Sequence, residues 1–417
     1  MSKLRPVVLR SGQLRAEIQA PGSAVLNTAE ATIGGSLMDL LQKAMNTPLG
    51  LPPMDECAVG GDRVVVVIDP ETPELCVLIT KVIEQLELIG NGGVAIRLLL
   101  PADPLAEKWQ RLLTVLPEHV KKNLAIDIHD PADETQRGYL ASSAGGERIY
   151  LNRHLLDADL IVMISRVGFD SLLGYRGTCS TLFPAFSDAA TIRETRLQGH
   201  PELTPEQKRP MRDLVDEIGW LLGTQFAIQI VPAADGGIAE IVAGLPRDVQ
   251  QASEEKLNAI WQIQLSHFAD VAAISVPADP VYGWKWLGNA VEAASKVVCQ
   301  GGRLAVIADL ATPDSSGLNA LRRSQEPEEL IKPLRKEPTE DAVEVLQLIQ
   351  AMRRIRLYLL SSMPSEVVEE FGMIPLTSSA ELQKLIDSGK QTALIAGANF
   401  AWCSVNEDDV DEDSDDE

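Results

Sequence analysis

Cysteine is scarce and unpaired in this chain. Five residues, Cys57, Cys76, Cys179, Cys299 and Cys403, are scattered over 417 positions without a C-x-x-C spacing. This excludes a disulfide framework and a structural zinc site, and reads the thiols as small buried hydrophobes. Cys179 alone lies in a glycine-rich turn, beside Ser180, where a reactive thiol is conceivable. Histidine is equally sparse, and His119, His129, His154, His200 and His267 form no cluster with metal-ligand spacing.

Long apolar runs are also missing, so no segment is read as crossing a bilayer. The start, Met1-Ser2-Lys3-Leu4-Arg5-Pro6, lacks the apolar stretch that a signal peptide carries behind it. The expectation is a soluble, cytoplasmic protein. Positive charge is in deficit, 37 Lys and Arg against 60 Asp and Glu, for a formal net charge of -23. Part of this is an end effect, because Glu407 to Glu417 is acidic except at Val410 and Ser414. Such a run repels itself, and residues 406–417 read as a disordered acidic tail. The body stays acidic without it, which argues against a nucleic-acid surface.

At 45% hydrophobic residues the chain can bury more than one core, and two domains are expected. The run Arg63-Val64-Val65-Val66-Val67-Ile68-Asp69 suits a buried parallel strand whose final carboxylate reaches the carboxyl edge of a sheet. Helix over 74–89, a glycine stop at 90–93, strand over 94–100 and helix over 104–115 follow. Strands over 124–128, 148–151 and 160–165 continue the alternation that marks βαβ units. A hairpin over 226–231 and 238–242 closes the first domain, and a long helix over 247–267 leads to a second α/β unit. There, strands over 271–276, 304–308, 356–360 and 392–395 alternate with helices over 284–298 and 380–388. The fold class is α/β: two α/β domains with mainly parallel sheets, 1–265 and 266–405, and an interdomain cleft where ligands gather.

The stretch Gly174-Tyr175-Arg176-Gly177-Thr178-Cys179-Ser180, with Phe183-Pro184 and Thr191-Ile192-Arg193-Glu194-Thr195-Arg196, is built like an active-site loop. With Asn46-Thr47-Pro48-Leu49-Gly50, Asp69, His129-Asp130, Asn152-Arg153, Ala158-Asp159 and Pro210-Met211-Arg212-Asp213, it resembles, in order and spacing, the nickel-pincer lactate racemase (LarA-like) family. The resemblance runs from about Ala44 to Gly397. It implies a racemase or epimerase that moves hydride reversibly at a hydroxyl-bearing carbon. A pyridinium mononucleotide carrying a nickel pincer accepts the hydride, and two histidines trade the hydroxyl proton. Racemisation needs two such bases because hydride leaves one face and returns to the other.

This chain departs from that pattern at every reactive position. The resemblance places Asp103 and Asp170 where the family has its two histidines, Ser180 at the tethering lysine and Arg196 at the nickel-ligating histidine. A guanidinium has no lone pair to offer a metal, so no metal ligand is assigned, His200 reading as a solvated loop residue. Asp69, Thr72, Gly174, Gly177, Ser180 and Arg196 are the motif positions for a cofactor. Thr72 stands at the family's phosphate-binding arginine, beside Glu71. Lys285, in Asp279-Pro280-Val281-Tyr282-Gly283-Trp284-Lys285-Trp286, falls near the family's substrate-contacting lysine.

Two functions are therefore carried forward, a lactate-racemase-like isomerase with a degenerate active site and a non-catalytic binding or scaffold protein descended from one. In the second, Arg166, Arg176, Arg193 and Arg196 pair with Asp103, Asp170 and Asp188 in a salt-bridged cleft for a small anionic or polyol-type metabolite. A third reading makes Asp103 and Asp170 an acid and base pair. Nothing in the sequence fixes the oligomeric state.

Overall fold

The computed structural model describes residues 6–19, 25–27, 36–89, 93–102, 106–143, 145–223 and 225–406. Asp103 and the acidic run 407–417 lie outside them. The chain divides into two compact units: one comprises Thr32–Pro232 with Gly237–Asn258, the other Met1–Ala31, Ala233–Gly236 and Ala259–Glu417.

The first unit is built on a six-stranded sheet ordered 238–244, 225–232, 160–166, 63–68, 95–100 and 124–128. All pairings are parallel except that of Gln225–Pro232 with Ile238–Gly244. The strand Arg63–Ile68 is buried from Val64 onward because both of its faces are covered. Val64, Val66 and Ile68 pack with Leu78, Ile79, Val82 and Ile83 of helix Leu75–Glu87. Val65 and Val67 join Leu151, Met163, Phe186 and Ile218 on the other face. A continuous β-branched run is what a doubly covered strand requires, and each such side chain stabilises by roughly 1.5–3 kcal/mol through burial.

One expected strand of this sheet is elsewhere. Arg148–Asn152 pairs antiparallel with Arg137–Ser142 in a separate ribbon. Its period-two pattern is real, but the short loop to its partner selects a hairpin over a crossover.

The second unit holds a parallel sheet ordered 374–376, 356–360, 298–307, 269–275, 392–395 and 25–27. The hairpin Val7–Ser11 with Leu14–Ile18 packs Val7, Leu9, Ala16 and Ile18 against Val271, Ala273, Ala305 and Leu394 of this sheet. Residues 6–19 and 25–27 thus group with the second unit, whereas the sequence reading starts the first domain at residue 1. The connecting helix Pro246–Trp261 ends six residues earlier than its apolar pattern suggests. Gln262–Leu265 forms a strand parallel to Trp402–Val405, whose pairing outcompetes another helical turn. Among the described residues no helix is long and apolar enough to cross a membrane.

Candidate functional site

The first strand of the first sheet has later strands on both sides, so the strand order reverses between 63–68 and 160–166. At such a point the connections diverge and leave a crevice at the carboxyl ends. Asp69, Glu71, Ser165 and Arg166 are the residues found there, all buried.

They form an ionic quartet with Arg176. Arg166 Nη2 donates to Glu71 Oε2 at 2.9 Å, and Arg176 Nη1 donates to Glu71 Oε1 at 2.7 Å. Arg176 Nη2 donates to Asp69 Oδ2 at 2.9 Å, while Asp69 Oδ1 accepts the Glu71 N–H at 3.0 Å. Burial pulls the Arg166 guanidinium below its ordinary value, and Arg176 adds to this against the attraction of Glu71. Burial acts on Arg176 too, yet the charges of Asp69 and Glu71 outweigh it and leave that group raised. Both remain cations, so two positive and two negative groups cancel in a dry setting.

The signature loop is anchored to the same edge. Gly168–Asp170 and Gly174–Arg176 form a short antiparallel ribbon that carries Arg176 toward Asp69. Thr178 donates its N–H to Ser165 Oγ at 3.1 Å and its hydroxyl to Gln250 Oε1 at 2.9 Å. Ser180 Oγ accepts the Gly177 N–H at 2.8 Å, closing the loop on itself. Gly177 has φ +128°, and a Cβ there would lie 1.8 Å from Gln229 Nε2. Only glycine suits that approach.

Of the aspartates expected to pair with the arginines, Asp103 lies outside the described residues, and Asp170 and Asp188 each hold local backbone groups. Asp170 Oδ1 accepts the N–H groups of Leu172 and Leu173, at 2.8 and 3.0 Å, and so folds the turn between the two ribbon strands. Asp188 caps helix Ala189–Thr195 through the N–H groups of Ala190 and Thr191. Short aspartates satisfy local backbone donors before they reach distant cations. Arg193 is exposed and Arg196 half-buried at the end of that helix. His200 is exposed with Nδ1 3.0 Å from Glu202 Oε1, and borders a recess of about 330 Å³ with Leu172, Leu197, Gly199 and Met211. Among the described residues no three His, Cys, Asp or Glu side chains converge as a metal site.

Thr72 is buried, and its hydroxyl has no hydrogen-bond partner among the described residues. Its N–H donates to Asp69 O at 3.0 Å in the turn that precedes helix Leu75–Glu87. Burial pushes the Cys179 thiol up to about 11, which makes it inert at neutral pH. Lys285 belongs to the second unit, in helix Gly283–Ser295. The aromatics around it pack within that unit: Trp284 lies 4.7 Å from Phe371, and Tyr282 and Phe400 flank Trp286.

Two buried polar groups that support the loop were not singled out as site residues. His129 Nε2 lies 2.8 Å from Ser187 O and its Nδ1 3.1 Å from Asn152 Nδ2. A carbonyl can only accept, so Nε2 carries the proton and Nδ1 accepts from the amide. Arg209, 1% exposed, donates to the carbonyls of Ser171, Leu203, Thr204, Pro205 and Gln207. His129 and Asn152 were legible as motif positions; Arg209 gave no periodic signal.

Residues 11–202 match the family model of the lactate racemase N-terminal domain. That segment is thus similar to the N-terminal domain of the lactate racemase family. The fold of the chain is similar to that of the lactate racemase apoprotein from Thermoanaerobacterium thermosaccharolyticum, with a TM-score of 0.74 at 14% identity over 95% of this chain and 99% of that one. A Thermotoga maritima protein solved by a structural genomics consortium is similar with a TM-score of 0.62 and 13% identity, covering 88% and 97% of the two chains. No curated protein matches.

For a lactate racemase-like chain, the residues at the cofactor positions do not fit a tethered, phosphate-bearing group. Ser180 has no amine, and its oxygen is engaged by Gly177. The carboxylates of Asp69 and Glu71 stand where anionic oxygens would need donors, and both are already held by guanidinium groups.

Proposed function

We propose that this lactate racemase-like protein is an isomerase by descent that no longer runs on the nickel-pincer nucleotide. It keeps the family body as a binding protein for a small anionic or polyol-type metabolite. The observation that carries this reading is the closure of the signature centre on itself. Ser180 caps its own loop, and the quartet of Asp69, Glu71, Arg166 and Arg176 leaves no net charge for a cofactor to complement. Asp170 spends one carboxylate oxygen on its turn, which suits a structural role better than proton exchange at a substrate. Lys285 remains the cation we assign to substrate contact.

The test is a preparation made in cells that assemble the pincer nucleotide. Metal analysis should find no stoichiometric nickel and the spectrum no pincer chromophore, while screening against 2-hydroxy acids and sugar acids should find a stabilising ligand. One nickel per chain would refute the reading.

One observation favours a surviving racemase or epimerase. The buried Thr72 hydroxyl, without a partner among the described residues, sits beside the first strand's carboxyl end and could donate to an anion. On that reading Asp103 and Asp170 serve as the two bases. Interconversion of the two enantiomers of a 2-hydroxy acid with retention of its C2 deuterium, lost in Thr72→Val and Asp170→Asn, would establish it.

A further inference from the structure

Glu71 is placed as a ligand would be. Its two carboxylate oxygens go to two different guanidinium groups, Oε2 to Arg166 at 2.9 Å and Oε1 to Arg176 at 2.7 Å, and its side chain is 3% exposed. Arginine forks converging on one carboxylate is the arrangement by which proteins grip free carboxylates and phosphates. The loop is folded to deliver it, since Asp69 Oδ1 holds the Glu71 N–H and Asp69 O accepts from Thr72 N. All of this stands at the reversal of strand order, where open α/β sheets take their ligands.

We propose that Glu71 is a tethered surrogate anion, which occupies an oxyanion site built by Arg166 and Arg176 and thereby determines that oxyanions are rejected there. A tethered carboxylate competes at high effective concentration, so a free anion at ordinary levels does not displace it. The proposal rests on the reading that this corner holds no nucleotide, and extends it by naming the residue responsible. Its corollary is that deletion of the carboxylate, with space left behind, uncovers a site for inorganic phosphate. Asp69 stays paired with Arg176 and restrains the affinity, while the Arg166 and Arg176 donors now given to Glu71 are released.

The experiment compares wild type, Glu71→Gln and Glu71→Ala in sodium phosphate and in sodium chloride at matched ionic strength, by thermal denaturation and by titration calorimetry. Wild type should respond alike to both salts. Glu71→Gln keeps the volume filled and should be destabilised equally in both. Glu71→Ala should be stabilised saturably by phosphate alone, with affinity at least about tenfold above wild type. If Glu71→Ala and wild type are equally inert, the surrogate-anion proposal falls and the reading without nucleotide stands. If wild type binds phosphate as tightly as Glu71→Ala does, the surrogate-anion proposal falls, and loss of that binding in Arg166→Ala would overturn the reading without nucleotide as well. Should Glu71→Ala be insoluble, refolding from urea decides: recovery in phosphate only supports the proposal, and failure in both salts overturns it.

Discussion

Replacement of His129 by leucine tests how the buried polar network supports the signature loop. The imidazole is 1% exposed, donates to Ser187 O at 2.8 Å, accepts from Asn152 Nδ2 at 3.1 Å, and packs 5.7 Å from the Phe186 ring. Leucine leaves the Ser187 carbonyl buried without a donor, a cost of about 1–3 kcal/mol. The lost ring contact adds about 0.5–1.5 kcal/mol. Asn152 Nδ2 retains Gln136 Oε1 at 3.3 Å, so its penalty is smaller. A loss of about 2–4 kcal/mol is expected in urea denaturation, with faster amide exchange over 124–130 and 148–156.

The pH dependence supplies a sharper readout. Burial holds His129 below its ordinary value, with the Ser187 contact and the Asp130 charge opposing weakly. The unfolded chain therefore takes up a proton near pH ~6.5 that the folded chain still refuses. This stabilisation is complete above the unfolded value and declines as pH falls through it toward the folded value, by at most about 1.4 kcal/mol per pH unit. His154 is also held low by burial, so wild type minus variant is the informative quantity. If the two proteins lose stability in parallel between pH 7 and 5, the neutral, hydrogen-bonded imidazole is not what the structure depends on.

Arg209→Ala should remove the clamp on five carbonyls and cost about 3 kcal/mol or more, read as new proteolytic cleavage within 200–208 before global unfolding; an unchanged digest would count against the clamp. Gly174→Ala places a Cβ 2.2 Å from Pro205 O at φ +78°, so the variant should melt well below wild type, and a shift within error would contradict the close approach. With Cys179 up to about 11 and Cys403 up to about 12, neither should react with a disulfide reagent at pH 8 before denaturation, whereas rapid labelling by mass spectrometry would show them accessible.

The sheets were legible because short, continuously buried runs such as 63–68 and 392–395 suit a parallel sheet covered on both faces. The hairpin of 7–18 was not assigned, although Leu9, Ala16 and Ile18 are set off by Arg10, Arg15 and Glu17 around Gly12 at φ +54°. The sequence extends helix 246–261 too far because Ile263 and Leu265 also follow Ile260 and Trp261 at helical spacings of three and four, although their own alternation is that of a strand. Within the site, Asp69 at its strand end and the glycines of the loop were readable from local rules. The pairing of Glu71 with Arg166, 95 residues away, was not, because charge complementarity at a distance has no sequence period. Asp188 could have been read as a cap from its position before Ala189-Ala190-Thr191.

The pairing of 25–27 with 392–395 has a consequence for synthesis on the ribosome. The second unit is assembled from segments that precede and follow the first, so the hairpin 7–18 must wait, with Leu9 and Ile18 uncovered, until Val271 and the later residues of its sheet have emerged. The intervening first unit can complete its own sheet during that wait. Nascent chains of this architecture thus carry an apolar ribbon in search of its sheet.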